Sequence, residues 1–235
     1  MRLYTLFADA TPGFAYGQHM CRQDASGNWA RVYFDLDPYP SEPIGTIVER
    51  GSKYADMMEN TAFLPVFRVE VLDAFRAAGI GPFPEYPFEI VRASKKLREL
   101  GAPEYRHIRV DGRVELDLKA MRVRWERDRT GKLAPTDAKD GLRFLIKPGT
   151  WDGSDLCRAP HYQNIIFCTE RVWRLAREHQ WTNMRFEVPE DISRTGLHPR
   201  VVEYRAKRGI LPPPPDEQTP LDEFARAYYA KHGRI

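Results

Sequence analysis

The sequence predicts an α+β protein with mixed, largely antiparallel sheets, two βαβ-like units and a C-terminal helix set off by a proline-rich spacer. Three observations carry this. Short runs rich in aromatic and β-branched residues, bounded by Gly, Pro, Asn and Asp, recur along the chain. Two stretches of helical spacing, residues 69–78 and 170–179, each follow one such run and precede another. Four consecutive prolines, residues 212–215, exclude helix and central strand and form a stiff spacer before a last apolar stripe.

Residues 3–7 and 29–36 read as strands. A strand at 63–67 leads into a helix on which Val71, Leu72 and Phe75 share one face, with Gly79 at its stop. Residues 88–91 are extended. Residues 105–110 and 114–118 flank Asp111-Gly112 in the form of a hairpin with a tight turn. Met121, Val123 and Trp125 alternate with Arg122, Arg124 and Glu126, the period of a half-buried strand with a charged outer face. Residues 142–146 are a further strand. A turn at Trp151-Asp152-Gly153 then precedes a strand at 164–168, a helix opening at Thr169-Glu170, and a strand at 184–188 ended by Pro189. Shifting the sequence by 101 residues places Val71 on Val172, Leu72 on Trp173 and Ile80 on Trp181, an echo that chance, shared βα grammar or two similar halves, 1–100 and 101–211, would each produce within one domain of residues 1–211. Residues 212–235 form the spacer and last helix, where Thr219 caps, Pro220 opens, and Leu221, Phe224, Tyr228 and Tyr229 make a stripe expected to pack on its own domain.

At 235 residues, with 42% hydrophobic and 29% charged residues, the chain has enough apolar surface for a proper core and is neither disordered nor fibrous. The opening apolar run is too short for a signal sequence, and no segment approaches the roughly 18 apolar residues of a membrane span. A cytoplasmic protein without membrane contact is expected. Cys21, Cys157 and Cys168 are odd in number and lack a CxxC pair, so reduced, buried thiols are expected rather than a disulfide framework or zinc ribbon. The net charge is only +3, yet residues 91–130 hold twelve Lys/Arg against seven Asp/Glu.

The sequence contains no phosphate loop, nucleophile elbow, zinc helix or calcium loop. Catalytic, cofactor and metal sites are therefore all expected to be absent. Cys157 served by His161 is the alternative reading, a small hydrolase or transferase, although the separations of Cys157, His161 and Cys168 match no zinc pattern. The carboxylate pairs Asp35/Asp37 and Glu115/Asp117 share strand faces, as acid–base pairs and solvated faces both do. The basic window with Tyr105, His107 and Trp125 permits a third reading, a nucleic-acid-binding adaptor. Interleaved acidic residues and a pI near 8.7 count against it.

Trp151-Asp-Gly-Ser-Asp155-Leu-Cys-Arg158, Asn164-Ile-Ile-Phe-Cys-Thr169-Glu170-Arg-Val-Trp-Arg-Leu and Asn183-Met-Arg-Phe186-Glu-Val-Pro together resemble the C-terminal signature of polymorphic-toxin immunity protein family eleven, a former domain of unknown function with a double-CxxCG subgroup. The likeness spans roughly residues 50–190, with Trp151, Asp155, Arg158, Thr169, Glu170 and Phe186 at the motif positions. Cys157 stands where the family usually has Phe, Asn183-Met184 replaces a Gly-containing turn, and both CxxC pairs are missing, so no metal is carried over. The resemblance implies a non-catalytic protein that binds and neutralises a cognate toxin. The exposed basic aromatic face at Arg122, Arg124 and Trp125 is the expected contact, since such residues dominate interface energetics.

Overall fold

The computed structural model describes residues 2–8, 13–31, 40, 42–127, 133–135, 144–191 and 223–232. Asp35, Asp37, Leu142, the four prolines and Thr219 to Leu221 lie outside them. The chain forms two compact units that are not consecutive halves. Unit 1 comprises residues 1–6, 112–173 and 186–235, and unit 2 comprises 7–111 and 174–185.

The elements in order are β1 (Leu3–Ala8), β2 (Tyr16–Gly17), β3 (His19–Gln23), β4 (Trp29–Arg31), β5 (Ile44–Val48), β6 (Met57–Asn60), β7 (Val66–Arg68), α1 (Val69–Ala77), β8 (Glu85–Ala93), α2 (Lys95–Leu100), β9 (Tyr105–Ile108), β10 (Gly112–Arg113), β11 (Trp125–Arg127), β12 (Leu133–Pro135), β13 (Leu156–Ala159), β14 (Tyr162–Thr169), α3 (Glu170–Glu178), β15 (Met184–Glu187), a 3₁₀ turn Pro189–Asp191, and α4 (Glu223–His232). An eight-stranded sheet runs β2-β6-β7-β9-β8-β5-β3-β4, and a five-stranded one β10-β13-β14-β1-β15. The β2·β6, β5·β8 and β10·β13 pairs are parallel and most others are antiparallel. The fold is thus α+β with mixed, mostly antiparallel sheets. Among the described residues no helix is long and apolar enough to cross a membrane.

Both sheets contain the same five-strand arrangement. A two-residue strand pairs in parallel with the first arm of a hairpin (β2 on β6, β10 on β13), and the second arm (β7, β14) leads directly into a nine-residue helix. Beyond that arm lies an antiparallel strand, and beyond it the strand that follows the helix, giving β7-β9-β8 and β14-β1-β15. Each is a βαβ crossover split by an inserted strand. The inserted strand is β9 in one case and, in the other, the first strand of the chain. The helix stops correspond bond for bond. Gly79 N donates to Arg76 O and Ile80 N to Phe75 O (2.9 and 2.8 Å), and 101 residues later Gln180 N donates to Arg177 O and Trp181 N to Ala176 O (3.2 and 3.1 Å). These are the paired bonds of a Schellman stop, with Gly79 (φ 70°) and Gln180 (φ 54°) in the left-handed position.

In unit 2, one side of the sheet buries Met20, Ile44, Val48, Met58, Leu64, Val66, Phe88, Leu97 and Tyr105 in a single cluster. Phe75 of α1 packs edge-on against Phe67 and Trp181 (5.7 and 5.4 Å). In unit 1, Tyr4 stacks on Trp173 at 5.6 Å, and Phe144 meets Tyr162 and Phe167 edge-on. α4 docks on unit 1 as its stripe predicts: Tyr228 and Tyr229 are buried, the Tyr229 hydroxyl donates to Glu190 Oε1 (2.8 Å) and accepts from Ile146 N (3.3 Å), and the Tyr228 hydroxyl donates to Asp117 Oδ2 (2.9 Å).

Three expectations need correction. Asp111-Gly112 is no hairpin turn, because β9 belongs to the eight-stranded sheet while β10 pairs with β13, and Gly112 lacks the positive φ that a tight turn requires. Glycine is needed there for close approach, since a Cβ would stand 2.2 Å from the Leu156 carbonyl oxygen. Residues 121–126 are not one half-buried strand: Met121 is buried, Arg122 turns at φ 53°, and only Trp125–Arg127 pairs, in a two-stranded ribbon with β12. Residues 144–146 make a single bridge, Ile146 to Leu116, rather than a strand.

Candidate functional site

The signature residues assemble into a latch at the start of α3. Asp152 accepts from the amides of Arg113 (2.8 Å) and Ser154 (3.0 Å), and Trp151 Nε1 donates to the Ser154 carbonyl (2.9 Å), closing a tight turn. Those amides hold the Asp152 carboxyl below the usual carboxylate range, outweighing its desolvation. Asp155, two residues on, accepts from the Thr169 hydroxyl (2.5 Å) and Arg171 Nη1 (2.7 Å), while Thr169 N donates to the Asp155 carbonyl (3.0 Å). Thr169, the expected N-cap, is thereby tied to the residue that opens the hairpin. Glu170 opens α3, where the helix dipole favours a carboxylate. Arg158 is buried within β13, and Phe186 is half-buried in β15.

Asp56 plays the same part in unit 2. Arg68 N donates to the Asp56 carbonyl (2.9 Å), Arg68 Nη1 lies 3.4 Å from Asp56 Oδ1, and Thr182 donates to Oδ2 through both its amide (2.7 Å) and hydroxyl (2.6 Å). The motif positions are therefore joints that set a hairpin against a helix, present once in each unit.

Cys21, Cys157 and Cys168 are free and buried. Burial pushes the Cys157 thiol up to about 12 and the Cys168 thiol well above its ordinary value, the opposite of what a nucleophile requires. His161 instead sits exposed at the β13–β14 tip (φ 70°), its ring edge-on to Trp125 at 5.2 Å. The thiol and imidazole of the hydrolase or transferase reading thus differ in setting, Cys157 buried and His161 in solvent. Glu115 pairs with Lys147 (3.0 Å), and Asp117 accepts from Ala120 N and the Tyr228 hydroxyl, so both carboxylates are engaged structurally. Among the described residues no group of three His, Cys, Asp or Glu is placed to hold a metal ion.

Tyr105 and His107, which the nucleic-acid reading placed beside Trp125, are buried in unit 2. Trp125 differs. It is 45% exposed on a ribbon strand whose three residues all face solvent, with Arg122 and Arg124 exposed just before it and Arg127 two residues after. An aromatic ring among arginines, carried on a ribbon and braced by His161, is suited to gripping another protein.

No protein-family model matches the chain, and no curated protein is similar to it.

Proposed function

We propose that this chain is a bacterial immunity protein that acts in the cytoplasm, binding a cognate polymorphic toxin and neutralising it without turnover of its own. The observation that carries this reading is the ribbon: Trp125 stands in solvent with Arg122, Arg124 and Arg127 around it, an arrangement with no use in the core of unit 1 and the composition of an interface hot spot. The likeness of residues 151–189 to the immunity signature supplies the kind of partner. The residues carrying that likeness support the frame, which leaves the ribbon as the recognition element.

The test is co-expression with the C-terminal domain of a long multidomain toxin encoded in the neighbouring reading frame. The two proteins are expected to co-purify and the cells to survive. Replacing Arg122, Arg124 and Trp125 together by alanine is expected to weaken binding by about a hundredfold, at about 1 kcal/mol per truncated hot-spot side chain. Unchanged protection by that variant removes the ribbon as the contact, and failure of the wild-type chain to bind removes the toxin reading.

A further inference from the structure

Unit 2 carries a concentration of positive charge that neither its packing nor the ribbon explains. The segment 49–54 and α2 lie side by side: β5 and β8 pair as far as Val48 opposite Ala93, Ser94 N donates to the Val48 carbonyl (3.2 Å), and the Tyr54 hydroxyl donates to the Leu97 carbonyl (3.2 Å). Six cations lie on these segments and the end of β8: Arg50, Lys53, Arg92, Lys95, Lys96 and Arg98. Only two carboxylates accompany them, Glu49 on Arg92 (3.1 Å) and Glu99 on Lys95 (3.9 Å), so the local excess exceeds the +3 of the whole chain. Of the acidic residues flanking these segments, Asp56 pairs with Arg68 and Glu104 with Arg106, while Glu89 is exposed on β8. Arg50, Lys96 and Arg98 make no ion pair among the described residues.

Helix stability does not account for this charge. Lys95 and Lys96 occupy the first turn of α2, which holds no acidic residue, and there the helix dipole disfavours cations. Local preference and sequence conflict, as they do where a surface is kept for another purpose. An apolar anchor completes the patch, since Leu100 is 59% exposed one turn beyond Lys96. The nearby Phe14 ring carries Lys53 Nζ 4.0 Å from its centroid, which occupies a face that a stacked base would need.

We infer that this margin of unit 2 docks an acidic polypeptide segment, with carboxylates meeting Arg50, Lys96 and Arg98 around an apolar side chain that covers Leu100. Charge complementarity selects the partner class, and Leu100 favours a peptide over a nucleic acid. This surface shares no residue with the ribbon at Arg122, Arg124 and Trp125, so the toxin reading and this one fail independently.

The experiment is fluorescence anisotropy of the full chain with a labelled glutamate-rich peptide carrying a central leucine, at low ionic strength. Binding that weakens with added salt is expected. The double variant R50E/K96E is expected to lose at least about tenfold in affinity. R122E/R124E, with the same change in net charge, is expected to retain it. K96E places a carboxylate where the dipole welcomes one, so the thermal midpoint is expected not to fall, which separates lost docking from lost folding. The neutral pair R50Q/K96Q is expected to fall between wild type and R50E/K96E. No binding of the peptide, equal losses in the two charge-reversed variants, or tighter binding of a single-stranded oligonucleotide of equal charge overturns the proposal, the last assigning the surface to nucleic acid.

Discussion

His107 is buried with its ring stacked on Tyr86 at 5.1 Å, edge-on to Phe88, and its Nε2 3.1 Å from the Glu42 carbonyl. Desolvation lowers its pKa to about 4, and the carbonyl only partly offsets that. The native ring therefore stays neutral while the unfolded chain takes up a proton from about pH 6.5 downward. A depressed histidine of this kind contributes nothing adverse at neutral pH, and the protein loses stability as pH falls from about 6.5 to about 4, by up to about 3 kcal/mol. Urea unfolding at pH 7 and pH 4.5 measures it, with His107→Phe expected to show a shallower loss. Equal losses in variant and wild type would show that other groups carry the pH dependence. Composition told nothing of this, because a histidine amid charged residues reads the same whether its ring meets solvent or Tyr86. The buried thiols were legible: an odd, unpaired set of cysteines in a chain with an ample core belongs inside it.

Longer periodic elements were readable because their pattern repeats. Val71, Leu72 and Phe75 line the buried face of α1, and Val172, Trp173 and Ala176 that of α3, as spacing indicates. The six-residue α2 went unseen although Ser94 accepts from Leu97 N and Gly101 turns at φ 73°, because one buried residue, Leu97, makes no period. Strands of two residues such as β2 and β10 leave even less trace; their positions are set by the hairpin they lie against. Asp111-Gly112 misled for a related reason, since a local turn signal was overridden by a distant neighbour. Gly112→Ala tests this directly. A tight turn would object to alanine through φ, but here the new methyl meets the Leu156 carbonyl and the β10·β13 pairing must open. The expected cost is about 3 kcal/mol in urea unfolding, with the loss of local amide-exchange protection centred on residues 112–113 and 156–158. A cost below about 1 kcal/mol would contradict the close approach. The ribbon escaped prediction as well: alternation at 121–125 signals a sheet face, and only the turn at Arg122 lifts Trp125 clear of it.

At the scale of the molecule, the echo between residues 71–80 and 172–181 was visible in sequence, but the interleaving of the units was not, since no local signal says which sheet β1 will enter. It lies between β14 and β15, Leu3 opposite Thr169 and Leu6 opposite Ile166. A fragment of residues 112–235 lacks that inner strand. It is expected to show no cooperative thermal transition alone, and to gain one when co-expressed with residues 1–111. A sharp transition in the isolated fragment would mean that the five-stranded sheet closes without β1. The same placement has a temporal side. The Thr5 hydroxyl donates to the Glu187 carbonyl across 182 residues of sequence, and at about 5–20 residues per second a ribosome takes roughly ten to forty seconds to traverse them. For most of that interval, until residues 162–169 are made, Leu3-Tyr4-Thr5-Leu6, apolar and destined for the middle of a sheet, hangs on the nascent chain without either neighbour. The cell must keep it from pairing elsewhere until the last of its sheet has been made.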